Sequence, residues 1–347
     1  MTTTPLEPAI AASGLRKSYG DHVVLDGIDL SVAEGTIFSL LGPNGAGKTT
    51  TVQILSTLIT ADGGTARIAG HDLSTDPDGV RAAIGVTGQF SAVDGLLTGR
   101  ENLLLMADLH HLARREGGRR ASELLERFDL VDAARKPAST YSGGMRRRLD
   151  LAMTLVGSPR IIFLDEPTAG LDPRSRRAMW QVIRELVAGG VTIFLTTQYL
   201  EEADELADRI ALLDHGRLVA EGTAAELKKL VPGGHIRLRF AHATALEAAA
   251  GAIGEVVRDD DALTLQVPSD GGVRSLRALL DRLDAASVEV DELSVHTPDL
   301  DDVFLALTGR TDPSADPSAD TGTDTGTDPG TDAAAGTASD PAKESVR

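Results

Sequence analysis

Gly42-Pro43-Asn44-Gly45-Ala46-Gly47-Lys48-Thr49-Thr50 decides the fold of this 347-residue chain. The stretch follows an apolar run, Ile37-Phe38-Ser39-Leu40-Leu41, that reads as a buried strand. It leads into Thr51-Val52-Gln53-Ile54-Leu55, which reads as the start of a helix. Strand, Gly-x-x-x-x-Gly-Lys-Thr and helix in that order form a phosphate-binding loop. Glycines let backbone N–H groups curl around a phosphate with no Cβ in the way, and the helix N-terminus adds unpaired donors and partial positive charge. Lys48 is placed to reach the β- and γ-phosphates, and Thr49 to hold Mg²⁺ through its hydroxyl. The pattern implies a nucleoside triphosphate ligand.

Further along, Arg160-Ile161-Ile162-Phe163-Leu164-Asp165-Glu166 reads as a buried strand ending in two adjacent carboxylates. In a phosphate-loop protein the first such carboxylate, Asp165, holds Mg²⁺ through its water shell. Successive strand side chains point to opposite faces, so Glu166 occupies a different position and can orient and deprotonate an attacking water. Val191-Thr192-Ile193-Phe194-Leu195-Thr196-Thr197 is another buried strand, and it ends at Gln198. Ser142, followed by Gly143-Gly144 and a helical run through Leu155, reads as the N-cap of a second helix whose N-terminus can hold an anion. The basic stripe behind it, Arg146-Arg147-Arg148, reads equally well as a surface feature. Tyr19 precedes the turn Gly20-Asp21-His22 in a chain that is only 3% aromatic. It offers a ring face to adenine or fills a half-buried strand position.

Around these motifs the rest of the chain takes a clear order. Residues 9–35 alternate apolar and polar positions and read as short antiparallel strands. Residues 84–89 read as a strand ending in Gln89. Residues 99–157 are helical, with Leu103, Leu104, Met106, Leu109 and Leu112, and then Leu124, Leu125, Phe128 and Leu130, at helical spacing. The charges from Arg114 to Arg120 read as a solvated face or loop. A helix is expected over 201–208 and a hairpin over 209–222, with His215 structural in its turn. Strands alternating with helices imply a mainly parallel α/β sheet. Residues 231–234 read as a linker. A small α+β unit follows, with strands at 236–240, 263–267 and Val288-Glu289-Val290 and helices over Ala243–Ile253 and Val273–Ala285. It closes at 299–309 and contains no catalytic constellation. Beyond Gly309, imperfect Pro-Ser-Ala-Asp and Thr-Gly-Thr-Asp repeats are disordered by composition.

Net charge is −18, and a third of it lies in residues 311–347, which carry eight acidic and two basic side chains. That balance disfavours a nucleic-acid partner, which needs a basic face. Cysteine is absent, which excludes disulfides and thiolate zinc sites. The N-terminus has neither the basic segment nor the apolar core of a secretory signal, and no window approaches the roughly 18 apolar residues of a membrane span. If the function involves a membrane, another chain must supply the span.

Taken together these pieces resemble the ATP-binding subunits of ABC transporters over about residues 10–230. Tyr19 matches the adenine-stacking position, residues 42–50 the Walker A loop and Gln89 the Q-loop glutamine. Ser142-Gly143-Gly144 matches the signature, Leu164-Asp165-Glu166 the Walker B end, and residues 169–172, closing on Asp172, the D-loop. Gln198 falls where the family's switch histidine usually sits, and Met145 where the signature glutamine does. The segments Thr87-Gly88-Gln89, 141–149, Thr196-Thr197-Gln198-Tyr199-Leu200 and 300–309 are similar to daunorubicin-resistance-type drug-efflux ATPases.

The resemblance implies an ABC-type nucleotide-binding domain over 1–231. That domain has a mainly parallel core, an antiparallel β subdomain and an inserted helical subdomain at about 99–157. A small C-terminal α+β domain at 234–309 and an acidic tail at 310–347 follow. It also implies ATP and Mg²⁺, with Gln89 contacting the metal or the water. Two copies would face each other head to tail, each ATP lying between residues 42–50 of one and 142–144 of the other. A separate polytopic membrane permease would carry hydrophobic drugs from the cytoplasmic face of the membrane. An amide at Gln198 can donate to a γ-phosphate but cannot exchange a proton near neutral pH, which leaves the proton chemistry to Glu166. The competing readings are an ABC-type ATPase of ribosomes or DNA, which usually carries two cassettes or a coiled-coil insertion, and a nucleotide-dependent switch.

Overall fold

The computed structural model describes residues 7–89, 91–231, 234–254, 256–270 and 272–309. The expected linker residues Pro232-Gly233 and the expected tail at 310–347 lie outside the described residues.

Strands β1 (Ile10–Tyr19) and β2 (His22–Val32) form one long hairpin in place of several short strands. Bulges in β1 accommodate its length and twist. After β3 (Ile37–Leu41) and α1 (Lys48–Leu55), β4 (Gly63–Ile68) and β5 (His71–Asp72) join this hairpin in an antiparallel sheet of order β2-β1-β4-β5.

The chain continues through α2 (Pro77–Ala83), β6 (Ile84–Thr87), and three helices: α3 (Gly99–Leu109), α4 (Arg114–Arg127) and α5 (Gly143–Thr154). It then alternates β7 (Ile161–Asp165), α6 (Pro173–Ala188), β8 (Thr192–Thr197), α7 (Leu200–Leu206) and β9 (Arg209–Asp214) before β10 (Arg217–Gly222) and α8 (Ala224–Lys228). The central sheet runs β10-β9-β3-β8-β7-β6, parallel from β9 to β6 with β10 as an antiparallel edge.

Every residue of β3, β7 and β8 is buried, because helices or a second sheet cover both faces. Such strands read as unbroken apolar runs. One core packs α5 and α6 on the sheet through Leu149, Trp180, Ile183 and Leu164. The other packs α1 and the antiparallel sheet on its opposite face through Ile54, Leu25 and Ile10. There Phe194 lies 5.5 Å from both Phe38 and Phe163, ring centre to ring centre. Each such pair adds about 0.5–1.5 kcal/mol to its burial. Parallel strands put their C-terminal ends along one edge, so Gly42, Gly88-Gln89, Asp165-Glu166 and Gln198 all emerge there.

For the helical segment the solvated face expected at Arg114 to Arg120 is present, on a helix, and one expectation changes. The charges from Arg114 to Arg120 belong to α4, where Arg119 bridges Glu116 and Glu123, and Arg120 donates to the Leu155 carbonyl at 2.9 Å. Leu109 ends α3 on its exposed side, since apolar spacing marks a face without saying whether another element covers it.

The last elements are β11 (His235–Arg239), α9 (Ala243–Ile253), β12 (Val257–Asp259), β13 (Thr264–Pro268), α10 (Val273–Ala285), β14 (Glu292–His296) and α11 (Leu300–Thr308). Their antiparallel sheet has the order β12-β13-β11-β14, which with its two intervening helices is the βαββαβ ferredoxin-like arrangement. The strand expected at Val288-Glu289-Val290 is instead β14. Val288 and Val290 do face the core, which produces the misleading alternation, but pairing with β11 begins only at Arg239 and Glu292. Helix α11 then returns to the central sheet, burying Leu300 and Val303 against Leu41, Ile210, Leu212 and Leu227. Among the described residues no helix is long and apolar enough to cross a membrane.

Candidate functional site

The phosphate loop is pinned at both ends by backbone. Gly42 N–H donates to the Thr197 carbonyl at 3.2 Å, and the Ala46 carbonyl accepts from Gly216 N–H at 3.1 Å. Helix α1 starts at Lys48 with Gly47 as N-cap at φ 110, a conformation suited to glycine, and a glycine brings no side chain to cap the first turn. The leading N–H groups of α1 thus have no side-chain acceptor, and Asn44, Gly45 and Thr49 are exposed beside them. An anion of phosphate size fits this cradle.

Lys48 is 5% exposed, and its Nζ donates to the carbonyls of Gly42 (2.8 Å) and Pro43 (3.1 Å). It lies 3.6 Å from Glu166 Oε1. Burial pushes its ammonium below the usual lysine range, and the Glu166 and Asp165 carboxylates pull it back.

Asp165 is buried at the end of β7 and accepts from Thr196 Oγ1 at 2.5 Å. Glu166 diverges from it as expected, by a different route. Its backbone turns left-handed at φ 48, which costs a non-glycine residue roughly 1–2 kcal/mol. Its N–H donates to the carbonyl and hydroxyl oxygens of Thr196, and these bonds hold the turn. The result is a carboxylate swung off the strand toward Lys48.

Gln89 follows β6, and Gln198 follows β8 half-buried. Tyr19 is 52% exposed at the end of β1, and Lys17 Nζ stands over its ring, 5.5 Å from the centre. Ser142 caps α5, its Oγ accepting from Met145 N–H at 3.2 Å. A Cβ built on Gly144 would stand 2.8 Å from Ser175 Oγ, so the signature glycines pack on the start of α6. Asp172 caps that helix, accepting from Arg174 N–H, Ser175 N–H and Ser175 Oγ, and these bonds hold its carboxyl below the usual range. The structure therefore gathers Lys48, Asp165, Glu166 and Thr196 at one point, and Ser142, Gly143, Gly144 and Asp172 at another.

Residues 25–169 match the ABC transporter family, and residues 222–308 match the family described as "ATP-binding protein DrrA1-3-like, C-terminal domain". The daunorubicin resistance ATP-binding protein DrrA3 of Streptomyces coeruleorubidus is 50% identical over 305 residues, 87% of this chain and 96% of that protein. The chain belongs to the ABC transporter ATP-binding proteins. As an ABC ATPase subunit it binds ATP and hydrolyses it for transport. The daunorubicin/doxorubicin resistance ATP-binding protein DrrA of Streptomyces peucetius is 48% identical over 314 residues, 89% of this chain and 94% of that protein. Among solved structures, the ATP-binding cassette MJ0796, in a dimeric post-hydrolysis state bound to ADP and Pi, superposes with TM-score 0.56. It is 27% identical and covers 62% of this chain and 98% of its own.

Two features of this ABC subunit were not visible in its sequence. Glu202 on α7 is fully buried, and its Oε1 accepts from Thr168 Oγ1 (2.8 Å) and Trp180 Nε1 (3.0 Å), while Oε2 has no hydrogen-bond partner among the described residues. It thus ties the segment before Asp172 to the helix after Gln198. Nothing in the acidic run Glu201-Glu202 marks which residue turns inward. The other is Arg147, the middle of three consecutive arginines, whose side chain is only 11% exposed. An Asp three residues later was the available signal.

Proposed function

We propose that this ABC ATPase powers efflux of hydrophobic, anthracycline-like drugs through a separate polytopic membrane permease, working at the cytoplasmic face of the membrane and conferring resistance. The observation that carries the reading is 50% identity to a daunorubicin resistance protein over nearly its whole length, the C-terminal ferredoxin-like unit included.

In the proposed site residues 42–50 cradle the triphosphate, Lys48 moves from its loop carbonyls onto the β- and γ-phosphates, and Tyr19 stacks on adenine. Thr49, Gln89 and Asp165 hold Mg²⁺. Among the described residues no group of three His, Asp or Glu is gathered for a metal, which suits an ion held by one carboxylate, a hydroxyl, waters and the nucleotide itself. Bound there, Mg²⁺ would supply positive charge that offsets the charge of the phosphates. Glu166 takes the proton of the attacking water and Gln198 positions that water against the γ-phosphate. Ser142, Gly143, Gly144 and Asp172 of a second copy complete the site, so the working unit is an ATP-dependent homodimer.

The test is ATPase activity of the chain alone and with a co-expressed permease, alongside daunorubicin retention in cells carrying both. Permease-stimulated hydrolysis and lowered retention are expected. Stimulation by ribosomes or DNA instead would overturn the transport reading.

The proposed division into 1–231 and 234–309 carries its own expectation. Removing 234–309 uncovers Leu41, Ile210 and Leu212 where α11 lies on them. The truncated chain should still bind ATP but melt at lower temperature and confer less resistance. Unchanged resistance would count against a role for the unit in assembly.

A further inference from the structure

Arg147 and Asp150 sit one turn apart on α5 and have no part in the site as proposed. Their side chains are 11% and 4% exposed and 3.3 Å apart. A buried ion pair carries a desolvation cost that its mutual attraction offsets only when the remaining donors and acceptors are also satisfied. Here they are satisfied by backbone from two other segments. Arg147 Nη1 donates to the Gly88 carbonyl at 2.9 Å, Nε to Pro167 at 3.0 Å, and Nη2 to Asp165 at 3.1 Å and Glu166 at 3.4 Å. Asp150 accepts from Ala92 N–H at 3.1 Å. The two residues therefore grip the chain on both sides of Gln89, Gly88 by the guanidinium and Ala92 by the carboxylate. The same guanidinium holds the turn that carries Asp165 and Glu166.

We propose that Arg147 and Asp150 are positioning residues, a clamp that sets Gln89 and Glu166 relative to one another and joins both to the helix capped by Ser142. The proposal rests on the roles given above to Gln89 and Glu166. Arg147 lies five residues along α5 from Ser142, roughly 7.5 Å at the rise of an α-helix. A shift of α5 when Ser142 meets the partner copy's nucleotide is thereby carried to the Gln89 segment and the Glu166 turn together. The planar fork of arginine donors makes this possible. A lysine ammonium in the same place is a compact point charge and cannot reach four carbonyls and a carboxylate in these directions.

The clamp is tested in the full chain with Arg147→Met, Arg147→Lys and Asp150→Asn, using Gln89→Ala and Glu166→Gln as references. ATP Kd, kcat, the Mg²⁺ concentration for half-maximal rate and Tm are measured for each. Arg147→Met and Arg147→Lys should lower kcat by about tenfold or more, the usual effect of removing a supporting contact. They should also raise the half-maximal Mg²⁺ concentration as Gln89→Ala does, with ATP Kd within about threefold of wild type. Asp150→Asn keeps every arginine-to-carbonyl bond and should show the Mg²⁺ effect with a smaller fall in kcat. Wild-type kcat in the Arg147 variants, or a fall that follows Tm with unchanged Mg²⁺ dependence, overturns the clamp. Normal turnover in both reference variants overturns instead the roles of Gln89 and Glu166.

Discussion

Glu166→Gln should bind ATP with near-normal affinity, hydrolyse it about 10²–10⁴-fold more slowly, the range for loss of a general base, and accumulate as ATP-bound dimers. The substitution keeps the shape of the side chain, so the left-handed turn and its bonds from Glu166 N–H to Thr196 remain. What disappears is a carboxylate 3.6 Å from Lys48 Nζ. Dimers should then persist because the γ-phosphate that joins the two copies is not removed. Size-exclusion chromatography with ATP, with and without EDTA, reads the dimer, and phosphate release reads the rate. Gln198→His in parallel should retain turnover, since on this assignment residue 198 positions the water and does not take its proton. A near-normal rate for Glu166→Gln would end the assignment.

Gly42→Ala should lose both nucleotide affinity and stability. A Cβ at that position stands 2.2 Å from the Leu213 carbonyl oxygen and 3.3 Å from its carbon. Those atoms belong to β9, hydrogen-bonded to β3 in the middle of the sheet, so they cannot yield without opening the ladder. The loop must move instead, and with it the Gly42 carbonyl that holds Lys48. Overpacking of this kind costs about 1–3 kcal/mol, and ATP affinity should fall by about tenfold or more, since 1.4 kcal/mol is a factor of ten. Gly45→Ala is the contrast, because no atom lies within 4 Å of its added Cβ and only the backbone at φ 81 resists. Thermal melts and nucleotide titrations on both variants check the difference. Wild-type behaviour of Gly42→Ala would mean that the loop does not approach β9 as closely as described.

The legible parts of this molecule are those where burial acts on both faces of an element. Strands β3, β7 and β8 announced themselves as apolar runs ending in polar residues, and the polar ends carry the proposed site. The phosphate loop was legible because its glycines answer a local demand for space. Less was visible where the deciding fact is rotation about an element. Each helix step turns a side chain by about 100°, so in Arg146-Arg147-Arg148 packing selects the arginine that points inward, and Asp150 at i+3 is the one hint the sequence offers. Strand β12 is exposed along its length and offers no alternation to read. The alternation at Val288 and Val290 was real, but it belongs to a segment approaching the sheet. Glu166 leaves its strand through a backbone angle that no residue type in Asp-Glu-Pro predicts.

Trp180 is the only tryptophan in the chain. It is almost fully buried, and its indole N–H is bonded to Glu202 together with Thr168, two residues beyond Glu166. Tryptophan emission from the unaltered protein therefore has one source, shielded from water and attached to the segment that follows the proposed catalytic turn. Its colour and intensity report on the surroundings of that one indole, the bond to Glu202 among them. Nucleotide-driven rearrangement between the Glu166 turn and α7 can be followed by eye of a fluorimeter, in the native chain, with no label added and no residue replaced.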